Sequence, residues 1–389
     1  MKPDHLKSRL ISPNYEAPAP FASLTTPIHH ASTVTFKNVA AMRARSWLDE
    51  DSYTYGLHAT PTTYELQHRL ADLEGGTYAL LAPSGLAAIA MVNLALLKAG
   101  DELLLPDNVY APNRELGEKM LSDFGIVCHA YDAADLDSVA ALFNPRTRLM
   151  WIEAPGSVTM EVADVPRLAK LAREHGILTA LDNTWSGGIY FKGFEHGLDI
   201  VMNALTKYPS GGSDVLMGSV VTRDLELHQR IKTAHMRLGI GVSGDDAYLV
   251  LRGLPSLFAR LEAHQASAYR VAAWLSARPE IDRVLHPGLP SCPGHEFWKR
   301  DFKGAGGLFS VVFKEDVDDL RIDAMVDALE LFSIGFSWGG SHSLAVPYQL
   351  KAARKTRPWT LGTIVRFYVG LEDADDLIAD LAQAFEALG

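Results

Sequence analysis

From Tyr78 onward the chain alternates short apolar, β-rich runs with stretches of helical length. The strand-like runs are YALLAP (78–83), DELLLP (101–106), GIVCHAY (125–131), RLMWIEAP (148–155), GILTALD (176–182) and DIVMNAL (199–205). Between them lie SGLAAIAMVNLALLKAG, APNRELGEKMLSDFG and VPRLAKLAREHG, which read as helices. Strand, helix, strand at this cadence predicts a doubly wound α/β sheet of mainly parallel strands. A long amphipathic region, 225–277, predicts several helices. A last segment then mixes strands (GGLFSVVFK, TIVRFYVGL) with helices (DAMVDALELF, DLIADLAQAFEAL), as in a smaller α+β domain. The first sixty residues show no sustained period; PNYEAPAP and TPIHHAST read as an extended arm with little core of its own. The expected organisation is an arm over 1–62, a large α/β domain over 63–254 and a C-terminal α+β domain over 255–389.

At roughly 150 residues per domain, 389 residues are enough for two or three such units. A net charge of −11 argues against a nucleic-acid or anionic-membrane surface. No apolar stretch reaches the ~18 residues of a membrane span, and the N-terminus lacks a signal peptide's apolar core. Two cysteines, Cys128 and Cys292, without a CxxC, support neither a disulfide framework nor a zinc site, and no metal is expected. The class expected is a soluble, cytoplasmic enzyme.

In an open α/β sheet, ligands bind beyond the carboxyl ends of the strands. Four polar clusters fall at such places. Ser84-Gly85-Leu86 opens a helix after a strand, either as an ordinary N-cap or as an anion site. Asp182 ends a strand, either capping the loop or holding a cationic ring nitrogen. Lys207 follows DIVMNAL; most lysines are solvated, but one desolvated in the crevice forms Schiff bases with carbonyls. Ser337-Trp338-Gly339-Gly340 with Arg366 offers a guanidinium to a carboxylate, unless Arg366 makes a surface salt bridge. Phosphate site, carboxylate and lysine together are the set that pyridoxal phosphate requires.

The sequence also resembles the Cys/Met-metabolism (trans-sulfuration) family of pyridoxal-phosphate enzymes. The motifs PIHHASTVTF, YTYGLHATPTTYELQHRLADLEGG, APSGLAAIA, DNVYAPN, IEAPGSVTMEV, LDNTW, TKYPSGGSDVLMG, SWGGSHSL and RFYVGLED fall in family order. EAPGSVTMEV and the Trp after Ser337 are similar to the family's β-lyases, whereas γ-acting members have a Thr-Asn-Pro version of the first and lack the second. The resemblance implies the aspartate-aminotransferase-like fold (fold type I) and α,β-elimination of L-cystathionine to homocysteine, pyruvate and ammonia, a step of methionine biosynthesis. It implies that Lys207 holds pyridoxal 5'-phosphate and moves protons, with Asp182 on the pyridine nitrogen and Tyr110 stacked on the ring. The Gly85 and Leu86 amides with Thr206 would bind the phosphate. Tyr55 would reach a neighbouring subunit's phosphate in a homodimer, or in a homotetramer built as a dimer of dimers. Ser337, Trp338 and Arg366 would hold the amino-acid thioether.

Two positions depart from the family pattern. Leu57 stands where an arginine usually pairs the phosphate, and Ala204 where a serine often does; looser cofactor binding is the expectation, unless His58 substitutes. The pair His29-His30 reads as packing or active-site lining. The rivals are γ-elimination or γ-replacement within the family, and a non-catalytic regulatory protein that keeps the cofactor as a ligand.

Overall fold

The computed structural model describes residues 5–11, 19–21, 23–49, 52–350 and 354–389. The six apolar runs form β1 (Tyr78–Ala82), β2 (Glu102–Pro106), β3 (Val127–Tyr131), β4 (Thr147–Glu153), β5 (Leu178–Asp182) and β6 (Ile200–Ala204), joined by β7 (Gly218–Thr222). The sheet order is β1-β7-β6-β5-β4-β2-β3, with β3, β2, β4, β5 and β6 pairing in parallel. β7 runs antiparallel between β1 and β6. Parallel neighbours need a crossover of a dozen or more residues, usually a helix. Only the loop after Ala204, without a helix, joins β6 to β7, so the chain turns back instead.

Both faces of this sheet are covered, so its central strands are apolar throughout. Alternate residues enter opposite cores. Leu149, Trp151, Ala180 and Met202 pack with Ala88 and Val92 of the helix Gly85–Leu96. Met150, Ile152, Leu181 and Val201 pack with Leu168 and Ala172 of the helix Val165–Glu174. Trp151 places its ring N–H on Asn93 Oδ1 at 2.8 Å, so its one polar atom is satisfied inside the core.

The second sheet, β10-β11-β12-β9-β8, uses β8 (Ile281–Leu285), β9 (Leu308–Phe313), β10 (Ser333–Ile334), β11 (Leu344–Tyr348) and β12 (Ile364–Tyr368). Helices Leu257–Ser276 and Ala374–Phe385 bury Leu275, Leu377 and Leu381 against Phe309 and Phe367 of its strands. This is the aspartate-aminotransferase-like arrangement expected: a large, mainly parallel sheet followed by a smaller C-terminal α+β unit. Among the described residues no helix is long and apolar enough to cross a membrane. No cluster of three or more His, Cys, Asp or Glu among them could hold a metal ion.

Three buried histidines make this core sensitive to acid. Burial pushes His235, His264 and His286 down to about 4. His286 accepts the Gly288 N–H on Nδ1, while its Nε2 has no hydrogen-bond partner among the described residues. The unfolded chain therefore takes up protons near pH 6.5 that the folded chain refuses until about 4, so stability falls as pH drops through that window. Each such group contributes on the order of 2–3 kcal/mol to the loss. The melting temperature should fall steadily from pH 6.5 towards 4. His286→Gln should flatten that slope, which thermal melts across the pH series measure.

Candidate active site

The carboxyl ends of β4, β5 and β6 and the start of the helix Gly85–Leu96 converge on one cavity of about 450 Å³, closed by β12 and the segment around Ser337. Lys207 stands three residues past β6, in a turn whose backbone N–H returns to Ala204 O at 3.0 Å. Its Nζ donates to Ser337 Oγ at 2.6 Å and lies 5.4 Å from the Trp338 ring. Burial, helped by the nearby Arg366 charge, pulls this amine down to about 8, against the pull of Asp182. The close approach needs a special backbone. Ser337 has φ 89°, and Gly339, at φ 92°, lies so near that a Cβ there would stand 2.6 Å from the Lys207 carbonyl carbon. Only glycine fits position 339.

Asp182 closes β5 and faces the same cavity. Thr184 donates to its Oδ1 twice, from N at 3.0 Å and from Oγ1 at 2.5 Å. No hydrogen bond from the described residues reaches Oδ2. Burial pushes the carboxyl up, opposed by the two Thr184 bonds and by Lys207. Tyr110 caps the short helix Ala111–Glu115 at the cavity wall, its side chain partly open to solvent. Ser84 is an N-cap, accepting from the Ala87 N–H at 3.0 Å, and Gly85 and Leu86 beside it line the cavity. A Cβ on Gly85 would come within 2.8 Å of the Ala204 Cβ, so the helix start and the end of β6 pack through two small residues.

Thr206 also lines the cavity, yet its hydroxyl is engaged by the main chain. It donates to Met217 O at 3.2 Å and accepts from Met217 N at 3.0 Å, stitching the turn that leads into β7. Arg366, on β12, puts its guanidinium 5.3 Å from the Tyr348 ring and 3.4 Å from Ser337 O. Among the described residues it has no carboxylate partner, so it is not tied up in a salt bridge. The arm stays apart: Tyr55 does not line this cavity and is 46 % exposed. Leu57 rests against Gly241, and His58 bonds through Nδ1 to Thr54 Oγ1. His29 and His30 do not line the cavity either; the His29 N–H goes to Thr62 Oγ1, and His30 faces Asp245 at 3.6 Å.

Residues 7–386 match the family described as Cys/Met metabolism PLP-dependent enzymes. The chain belongs to that family. A cystathionine beta-lyase of Bordetella avium is 40% identical over 388 residues, covering 98% of this chain and 96% of that protein. An L-alanine/L-glutamate racemase of Wolbachia pipientis wMel is 35% identical over 378 residues, covering 94% and 93%. The crystal structure of metB from Corynebacterium glutamicum superposes with a TM-score of 0.89 at 29% identity, over 99% of this chain and 98% of that one.

For a family that depends on pyridoxal phosphate, the donor set is chemically apt. A lysine pulled down to about 8, a carboxylate oxygen that no described residue hydrogen-bonds and a helix start kept small by Gly85 and Ala204 line one cavity. Several lining residues escaped the sequence reading. Glu153, the last residue of β4, stands opposite Asp182 in register and accepts the Tyr110 N–H at 2.8 Å on Oε2. Its signal was the one that marked Asp182, a carboxylate closing an apolar strand. Tyr348 and Phe336 come from the second sheet and its approach, where no sequence period pointed to the cavity. The run EAPGSVTMEV supplies Glu153, Pro155, Gly156, Ser157, Val158 and Met160 to the lining. Val158 and Met160 hold positive φ there, and Gly156 leaves room for the Asn108 amide.

Proposed function

We propose that this enzyme catalyses α,β-elimination at a cysteine thioether, with L-cystathionine giving homocysteine, pyruvate and ammonia. The observation that carries the reading is the Lys207 amine, drawn towards neutrality in a cavity that also presents Asp182 and Arg366. The relative named cystathionine beta-lyase, 40% identical over nearly the full length, supports the choice of reaction, as do Trp338 and the Gly156-Ser157 segment.

Lys207, Asp182, Tyr110, Gly85, Leu86 and Thr206 are the residues that would hold pyridoxal phosphate. Bound there, the cofactor supplies an electron sink for negative charge at the substrate Cα. Arg366 pairs with the α-carboxylate, a two-pronged contact that fixes the amino acid's orientation. Lys207, neutral in a large fraction near pH 8, takes the Cα proton and then serves as acid towards the leaving sulfur as the Cβ–S bond breaks. Ser337 Oγ, already bonded to Nζ, holds the amine on the side where both transfers occur. Asp182 keeps a negative charge under the site; a cation brought to its free Oδ2 reverses the effect of burial and favours the ionised form. With Leu57 and Ala204 offering the phosphate no polar side-chain atom, cofactor affinity rests on the Gly85 and Leu86 amides, the Thr206 hydroxyl that Met217 shares, Asp182, Lys207 and Tyr110.

Assembly at least as a homodimer, and as a cytoplasmic homotetramer, belongs to this reading. Its support is the arm, where Tyr55, Phe21 and Leu24 (89 % exposed) present apolar surface that one chain leaves uncovered. The deciding experiment is a product assay on L-cystathionine. Pyruvate and homocysteine should dominate. Cysteine with 2-oxobutyrate would replace the proposal with γ-elimination, and interconversion of L- and D-alanine without keto-acid release would replace it with racemisation.

A further inference from the structure

Glu153 and Asp182 are Cα partners on adjacent parallel strands, so their side chains leave the same face of the sheet about 5 Å apart. Both line the cavity. Two buried carboxylates this close do not both ionise. The surroundings decide which keeps the charge. Asp182 receives two Thr184 donors and the field of Lys207. Glu153 receives the Tyr110 N–H and, more weakly, the hydroxyl and N–H of Ser157 from the loop beyond β4, so donors alone do not separate the two carboxyls; the Lys207 charge, which acts on Asp182, does. The Tyr131 hydroxyl, on β3, donates to Trp151 O at 2.6 Å rather than to Glu153. Among the described residues no lysine, arginine or histidine pairs with Glu153. Burial and the Asp182 charge both hold its carboxyl well above the usual carboxylate range.

We propose that Glu153 is a positioning residue that works as a neutral carboxylic acid. It anchors the Tyr110 backbone at the cavity wall through Oε2, and it leaves Asp182 as the single negative charge under the site. The inference rests on the proposed placement of the cofactor between Tyr110 and Asp182, but not on the identity of the thioether. A neutral acid explains why a carboxylate side chain is tolerated beside Asp182 without a cation of its own. The main-chain anchor explains why the position needs an acceptor of this length, since Tyr110 follows β2 by four residues and its other backbone hydrogen bonds among the described residues stay within its own short helix.

The test compares Glu153→Ala and Glu153→Gln with wild type in the cofactor-loaded enzyme. Glu153→Ala should lose about tenfold to a hundredfold in kcat with a smaller change in KM, because Tyr110 is misplaced. It should also release pyridoxal phosphate more readily. Glutamine has the shape of the protonated acid and keeps the acceptor, so Glu153→Gln should recover most of both losses. A second readout needs no substrate. The bound cofactor's absorbance, titrated upward from neutral pH, should show in wild type a transition that Glu153→Gln lacks. If glutamine is as damaging as alanine, the charge is needed and the proposal is overturned. Identical titrations of wild type and Glu153→Gln overturn it as well. Failure of these tests leaves the product assay on cystathionine untouched, and a failed product assay leaves these readouts valid.

Discussion

Lys207→Ala should remove nearly all turnover, on the order of four powers of ten, because one amine both captures the cofactor and moves the protons. Among the described residues no other lysine lines the cavity, so none of them is placed to replace it. Borohydride treatment of the loaded wild type should fix pyridoxal phosphate to the chain as an added mass. The same treatment of Lys207→Ala should leave the chain mass unchanged. Loss of activity by unfolding is separable from this effect. The amine is held below its ordinary value by burial, so the protein spends stability keeping it inside. Removing it should leave the cofactor-free protein melting no lower than wild type. A persistent covalent adduct in the variant would move the cofactor to another lysine and refute the assignment.

Asp182→Asn is expected to be the next most damaging change. Asparagine keeps an oxygen for the Thr184 N–H and Oγ1, so the end of β5 should hold its shape. The free Oδ2 becomes an amide that donates where a cationic ring nitrogen needs an acceptor. Preorganised electrostatic contacts of this kind are worth roughly 10²–10³ in kcat. The expected result is a folded, cofactor-binding protein with kcat reduced by about that factor and weaker retention of pyridoxal phosphate on dialysis. Steady-state kinetics and dialysis measure both. Turnover within threefold of wild type would remove Asp182 from the role proposed for it.

The sequence by itself determined the large sheet and the chemistry at its edge. Strands buried on both faces must be short apolar runs between polar ends, and five of the six runs are such; the sixth, β3, is a half-exposed edge strand. Lys207 and Asp182 were visible for the same reason, as charged residues at or just past such strands. β7 was not visible as a sheet member, because GSVVT has no helical crossover before it and its antiparallel place depends on the turn that holds Lys207. The helix Pro61–Glu74 was not named from the sequence, and its first two residues fell within the expected arm, although Thr60 and Thr63 form a capping box and Gly75 ends it in left-handed geometry.

Tertiary structure alone decided the rest. Ser337 and Arg366 reach Lys207 from 130 and 159 positions away, and no local period encodes a meeting between two sheets. Thr206, read as a phosphate donor, lines the cavity, and only the return of β7 brings the Met217 backbone onto the same hydroxyl. Glu153 acquires its meaning only from the register that sets it beside Asp182. Sequence pattern reports which side chains are buried and on what period; which of them face one another depends on register and chain return, and those are fixed only when the whole core closes.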